Sequence, residues 1–399
     1  MSFLDKILKR SRPGIEDILT PELLASTVSK KDSMQINAVY ACVNIISSAI
    51  ASLPFDIYRK TDNGREKAVK LPLYGITKNP SADMPAYNFM ESLLVNLLIY
   101  GNAFVEVVRI RGQVRELNLI PSEKVTITKD GDGQNVYVVT GSDGKGQTSF
   151  PASSKKIMHV VGKSYNGTEG ISPVQLCMRS LSIARALEIY GLNYFERGAR
   201  PSGFLKVPTK LTEESAERLK RDFARNYQGT AKSGKPIVLE QGTEYVIADN
   251  GNDSSQFLES RRFAIEEICR LFTMPLWMVS ETSKSTSWGS GIEAQGIAFV
   301  QYCIGPIMKR IEEAFGFYLL SAKEQEQYYF EFNIDGLLRG DQKSRFDAYH
   351  TAIMDGWMSP NEVREKENLP AIAGGDVYLL PVNMAGYAGE DKVEQNENG

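Results

Sequence analysis

The segment Gly229-Thr-Ala-Lys-Ser-Gly234-Lys235-Pro236 comes within one residue of the phosphate-binding loop GxxxxGK[ST]. That loop needs a final hydroxyl to ligate magnesium, and a helix starting there to offer free amides to phosphate. Pro236 has no hydroxyl, and the segment follows a helical pattern rather than a strand, so no nucleotide site is expected. Asp130, Asp132 and Gly133 have the opening spacing of a calcium loop but lack its later bidentate glutamate, which leaves a hairpin turn. Of the two histidines, His159 and His350, the first sits in the apolar run Ile157-Met158-His159-Val160-Val161. It reads as a core residue bonded to backbone, not a base. Cys42, Cys177, Cys269 and Cys303 are scattered, form no CxxC pair and fall in stretches of helical apolar spacing, as buried thiols do. No Ser-His-Asp order, nucleophile elbow or tight set of metal ligands emerges. The expectation is a non-enzyme with no catalytic residue, no cofactor and no metal.

Charge narrows the partners. Lys and Arg number 46 against 49 Asp and Glu, for a net charge of -3. Proteins that grip nucleic acid tightly carry a basic surplus, because neutralising phosphates supplies much of the affinity. Contact with DNA is therefore expected to be weak and non-specific. The segment around 212–227 carries Arg218, Lys220, Arg221 and Arg225 among Glu213, Glu214, Glu217 and Asp222. That pattern is either a solvated helix face held by pairs at helical spacing or a charged docking edge. Residues 280–291 are polar and rich in Ser and Gly, and within them Lys284 and Trp288 stand out. An exposed tryptophan is costly unless it packs, so Trp288 either anchors that loop or touches a neighbouring chain. No apolar run approaches the roughly 20 residues that span a bilayer. The first ten residues place Phe3, Leu4, Ile7 and Leu8 on one side of a short amphipathic pattern, read as a packing or docking segment.

Periodicity supplies the elements. Val39, Tyr40, Val43, Ile46, Ile50 and Leu53 recur at helical spacing, and Phe55-Asp56-Ile57-Tyr58 alternates as a strand. A helix is predicted over Ala86–Tyr100, then strands over 103–109, 117–120 and 136–139 with glycine turns between them. Residues 30–165 thus read as α+β. Ser172 before Pro173 starts a helix of about 25 residues ending at Gly198. An insert follows, with Thr212 capping a helix and short strands at 202–207 and 235–239. A second long helix runs from Ser255 to Met274-Pro275, and a third over 292–315, kinked by Gly305-Pro306. Helices follow at 341–354 and from Ser359, and the tail past Pro381 is predicted to be disordered. Long helices that no single domain needs to bury tend to bury against copies of themselves.

Several stretches are similar to one family. They are Asn37-Ala-Val-Tyr-Ala-Cys-Val-Asn-Ile-Ile with Leu53-Pro54, Lys78-Asn79-Pro80-Ser81, Leu98–Val105, Asn193–Gly203, Glu267–Pro275, Arg345, Gly356 and Asn361–Arg364. In their order and spacing the chain resembles the tailed-bacteriophage portal (connector) family, in its long-tailed-phage branch. The resemblance implies a portal-type α+β fold. Its parts would be an N-terminal segment 1–29, a mixed wing 30–171, stem helices 172–197 and 255–274, and a small clip 198–254 between them. A tunnel loop, kinked channel helix and return to the wing would occupy 275–339, a helical crown 340–380 and a tail 381–399. It also implies a ring of twelve subunits, closed by a heterologous contact, at one capsid vertex of the virion after assembly in the host cytoplasm. Head assembly would start there, and DNA would pass through the ring during packaging and ejection. Implied partners are the terminase large subunit, the major capsid protein, head-completion adaptors and DNA in transit. Lys284, Ser285, Thr286, Ser287 and Trp288 would face the channel, and Arg218, Lys220, Arg221 and Arg225 would dock adaptors.

Overall fold

The computed structural model describes residues 29–379 apart from 31, 62–63, 142–145, 197–202, 209, 228–241, 248–252, 280–289, 335–341 and 368. These fall into two units, one of residues 29–279 with 298–332 and one of 290–297 with 333–379.

The larger unit begins with α1 (Asn37–Ala51), which buries Val39, Cys42, Val43, Ile46 and Ile50 on one stripe. β1 (Phe55–Thr61) and β2 (Gly64–Lys67) form a hairpin, followed by α2 (Leu73–Lys78) and α3 (Ala86–Tyr100). α3 packs on α1, and its Phe89, Leu93, Leu94 and Leu97 are all buried. Each such side chain contributes about 1.5–3 kcal/mol relative to exposure. β3 (Asn102–Ile110) pairs antiparallel with β4 (Gln113–Ile120) on one side and β8 (Ile157–Val161) on the other. Between them β5 (Val125–Lys129), β6 (Asn135–Thr140) and β7 (Gln147–Pro151) make a second antiparallel sheet. Asp130 does close the β5–β6 hairpin: its carboxylate accepts the amides of Asp132 and Gln134 at 3.0 and 2.8 Å.

The long helices come next. α4 (Pro173–Leu176) is separated by Cys177 from α5 (Met178–Glu196), so the single helix expected from Ser172 has one early break. β9 (Gly203–Lys206), α6 (Glu213–Tyr227) and β10 (Glu244–Ile247) form the insert, where β9 pairs with β10. The strand read at 235–239 lies outside the described residues, and the observed partner, Glu-Tyr-Val-Ile, was missed because four residues give too little alternation. α7 (Asp253–Phe272) returns along α5, and α8 (Leu276–Val279) follows. Their pairing is antiparallel, with Tyr190 against Phe257 at one level and Ala184 near Ile268 at another.

Past α9 (Ser290–Ala298) the backbone widens into a π-helical stretch, Phe299–Ile304, before α10 (Gly305–Leu319). The sequence placed the interruption at Gly305-Pro306, but the distortion lies one turn earlier. A proline has no amide and its ring collides with the carbonyl four residues back, here Tyr302. Widening that turn removes the collision and sends the Gly305 amide to Val300 O instead. α11 (Ala322–Gln327) leads to β11 (Tyr328–Phe332), which pairs with β1 in the register Phe55↔Phe332 and Ile57↔Phe330. Phe55 packs 4.4 Å from Phe332 and edge-on to Phe315 at 4.9 Å. Both faces of β1 are buried from Phe55 to Tyr58, where alternation predicted one. Asp56, on the second face, is held by Lys67 at 3.1 Å and Lys78 at 2.5 Å.

The smaller unit contains α12 (Gln342–Met354) and α13 (Pro360–Lys366). A fork from Arg345 to Glu367, with Nε 3.0 Å from Oε1, ties the end of α13 to α12, and the Tyr349 hydroxyl donates to the same carboxylate. Ser359 caps α13 with Glu362 in a reciprocal capping box.

His159 is buried, as expected, but its partners are side chains and not backbone. Its ring stacks on Phe104 at 4.4 Å, with Nε2 2.8 Å from Asn102 Oδ1 and Nδ1 3.3 Å from the Tyr137 hydroxyl. Asn102 Oδ1 also accepts the Gly170 amide, so it is an acceptor, and Nε2 must carry the proton. The ring is neutral, its pKa pushed by burial from 6.5 down to about 4. Because the folded value lies below the unfolded one, the unfolded chain takes up the proton first as pH falls. The stability this site contributes is complete above pH 6.5 and is lost toward pH 4, with a total near 3 kcal/mol. Urea unfolding at pH 7 and pH 4.5 should show that loss, and His159→Phe should flatten the slope between them. An unchanged slope would refute the assignment.

Candidate functional site

No polar cluster with catalytic geometry appears among the described residues, and none of their His, Cys, Asp and Glu side chains group as a metal site. Three of the four thiols do converge, which the sequence reading did not foresee. Cys42 of α1 hydrogen-bonds Cys269 of α7, and Cys303 of the π turn donates to Phe272 O at 3.4 Å. The bond to Cys269, together with burial, raises the Cys42 pKa, and burial lifts Cys303 to about 12. The same bond lowers the Cys269 pKa, so Cys42 and Cys303 are the thiols held protonated. Cys177 is only half-buried.

What the chain does display is a scaffold for α5 and α7. Its base is a junction where three backbones meet. Gly101 ends α3 in the left-handed region at φ 75°, and its position leaves a hypothetical Cβ 2.2 Å from Ile171 O. Gly162 donates its amide to Gly101 O at 2.8 Å, and Gly170 lies against the same carbonyl. The Asn102 amide grips the Gly170 peptide from both sides, accepting its N–H at 2.7 Å and donating to its carbonyl at 2.7 Å. Ser172 completes the clamp: its hydroxyl donates to Ile99 O at the end of α3 and accepts the Gln175 amide, capping α4. The Tyr100-Gly101-Asn102 turn therefore aims the two-helix arm.

The arm leaves apolar surface open. Leu181, Ala184, Ile268, Cys269 and Phe272 bury its base. Toward the insert, Ile189, Tyr190 and Leu192 of α5 and Leu258 and Phe263 of α7 stay exposed, Leu192 and Leu258 at 59% and Phe263 at 57%. The Arg270 guanidinium overlies the Phe263 ring, 5.5 Å from its centre. Solvated helices seldom carry that many large apolar groups together. Leu192 and Leu258, outside the buried stripe, were the sequence signal for this surface, and periodicity did not single them out, whereas Phe263 falls among the apolar positions at helical spacing on its helix.

The other expected site residues part company. Arg218, Lys220, Arg221 and Arg225 all lie exposed on α6. Arg218 pairs with Asp222 at 3.8 Å and Lys220 with Glu217 at 3.3 Å, as on a solvated face. Such exposed pairs are worth well under 1 kcal/mol. Lys284, Ser285, Thr286, Ser287 and Trp288 lie outside the described residues.

Residues 37–368 match the family described as "Phage portal protein". The portal protein of Enterobacteria phage HK97 is 32% identical over 359 residues, covering 89% of this chain and 83% of the relative. The chain belongs to the phage portal protein family. It is a portal protein of the phage head vertex. The fold agrees with solved structures. A crystal structure of an HK97 family phage portal protein from Corynebacterium diphtheriae has a TM-score of 0.56 at 16% identity, covering 78% of this chain and 97% of that one. A chain in the neck of a native gene transfer agent particle, computed with C12 symmetry, has a TM-score of 0.59 at 21% identity, covering 88% and 95%. Among the described residues no helix is long and apolar enough to cross a membrane.

Proposed function

We propose that this portal protein closes into a homo-oligomeric ring of twelve around a DNA channel, with α5 and α7 as the stem helices of the wing, clip and crown arrangement. The observation that carries the ring is the exposed apolar surface of that arm, Leu192, Leu258 and Phe263 foremost. A surface of this kind needs a cover, and copies of the same chain supply one in a heterologous, closing contact. The C12 symmetry of the gene transfer agent neck supports the same subunit number. The net charge of -3 suits a lining along which DNA slides without being held.

The ring works as a passive conduit rather than an enzyme. Terminase, whose motor does the work, docks on it from outside, the capsid protein surrounds it, and adaptors seat on the clip, where Arg218, Lys220, Arg221 and Arg225 form a charged edge. Negative-stain microscopy of the purified protein tests the reading: rings with a central hole are expected. A compact monomer at high concentration, or ATP hydrolysis by the protein alone, overturns it. Lys284 is assigned to the bore as a brake on backsliding DNA. Lys284→Glu should then lower genome retention in filled heads, and unchanged packaging and retention would remove that role.

A further inference from the structure

A cleft of about 300 Å³ opens where the first turn of α1 meets the bases of α5 and α7. Four small side chains, Ala38, Ala41, Ala184 and Ala264, hollow it out, and Glu188 and Arg261 are its two charged residues. Alanine at facing positions of three helices leaves room that a packed core would fill. We infer that this cleft receives the chain's own N-terminal segment, through Phe3, Leu4, Ile7 and Leu8.

Three observations select that occupant. The first is where the described chain begins. Ser29 and Lys30 precede the short helical turn Asp32–Gln35 that leads into α1, with Lys30 Nζ 5.8 Å from the centre of the Tyr100 ring, and Ile36 and Asn37 already line the cleft. The second is reach. Residues 9–28 separate Leu8 from Ser29, and a flexible chain of that length spans roughly 25 Å, enough to double back. A tether of this kind gives an effective concentration near the millimolar range, so the attached segment outcompetes a second copy at about micromolar protein. The third is chemistry. The four apolar residues share one side at helical spacing, Asp5 can face Arg261, and Lys6 or Lys9 can face Glu188. The segment from residue 280, which follows the cleft residue Val279, is the nearest competitor. Between 280 and 287 it is polar throughout, which suits the cleft poorly.

The inference does not depend on ring formation, and its test works on the full-length chain. Leu4→Cys is combined with Ala264→Cys in a Cys177→Ser background, and the thiols are oxidised with copper phenanthroline. The expected product is an intramolecular disulfide between positions 4 and 264, found by peptide mass spectrometry at monomer mass. It should form at least tenfold faster than a control pairing position 4 with Glu214→Cys on the insert. A disulfide joining two chains assigns the cleft to a second copy and overturns the inference, as does a rate no greater than the control. Since cysteine at position 264 could disturb packing, a second measurement leaves the cleft intact. Phe3→Ser with Ile7→Ser should raise amide exchange in the first turn of α1 and at Leu187–Glu188 by tenfold or more, and no change there also overturns it.

Discussion

Replacing Leu192 and Phe263 together by aspartate should abolish rings and leave a folded monomer. Both side chains are more than half exposed in the single chain, so neither contributes much to its core. Hiding each against a neighbour is worth about 1.5–3 kcal/mol, and the replacement also puts a charge where the partner surface is apolar. The loss recurs at every contact around the circle, so at micromolar concentration the ring population should fall by more than 100-fold. Sedimentation velocity reads the assembly state and far-ultraviolet circular dichroism the fold. Full-sized rings from the double variant would show that the arm does not carry the contact. Loss of helical signal would show that these residues serve the monomer.

The second large effect concerns Gly101. Gly101→Ala should cost more than about 4 kcal/mol and sharply reduce soluble protein, whereas Gly112→Ala should cost only about 1 kcal/mol. Both glycines have positive φ, 75° and 81°, so the backbone penalty is similar. The difference is space. Nothing lies within 4 Å of a Cβ at Gly112, whereas at Gly101 that atom would sit 2.2 Å from the carbonyl of Ile171. The Ile171 peptide cannot retreat without releasing the Asn102 grip on Gly170 and the Ser172 cap of α4. Urea midpoints for the two variants decide it, and equal costs would mean that the junction is loose. Since the junction aims α5, a partly folded Gly101→Ala protein should also fail to form rings.

The fold class, most helix limits and the turns were legible in local chemistry. Ala86–Tyr100 ended at Gly101 because a left-handed closing residue favours glycine, and Ser359-Pro360 opened α13 because a capping hydroxyl followed by proline suits a first turn. The family was legible too, in the order of short stretches from Asn37 to Arg364. The site was less so. β11 was missed because a strand of five residues declares itself only through its partner, and β1 stands some 270 residues earlier in the chain. The convergence of Gly101, Gly162 and Gly170 had the same cause: each glycine alone reads as an ordinary turn, and only the close approach of three backbones gives the set its meaning. Likewise, periodicity announced that α5 and α7 have an apolar stripe, but not which apolar residues would be left over. The sequence thus determined what depends on neighbours along the chain: caps, turns, periods and net charge. Tertiary structure decided what depends on distance in space, namely which glycines touch, which thiols meet and which leucines remain uncovered, because a residue's burial is a property of the packed chain and not of its neighbours in sequence.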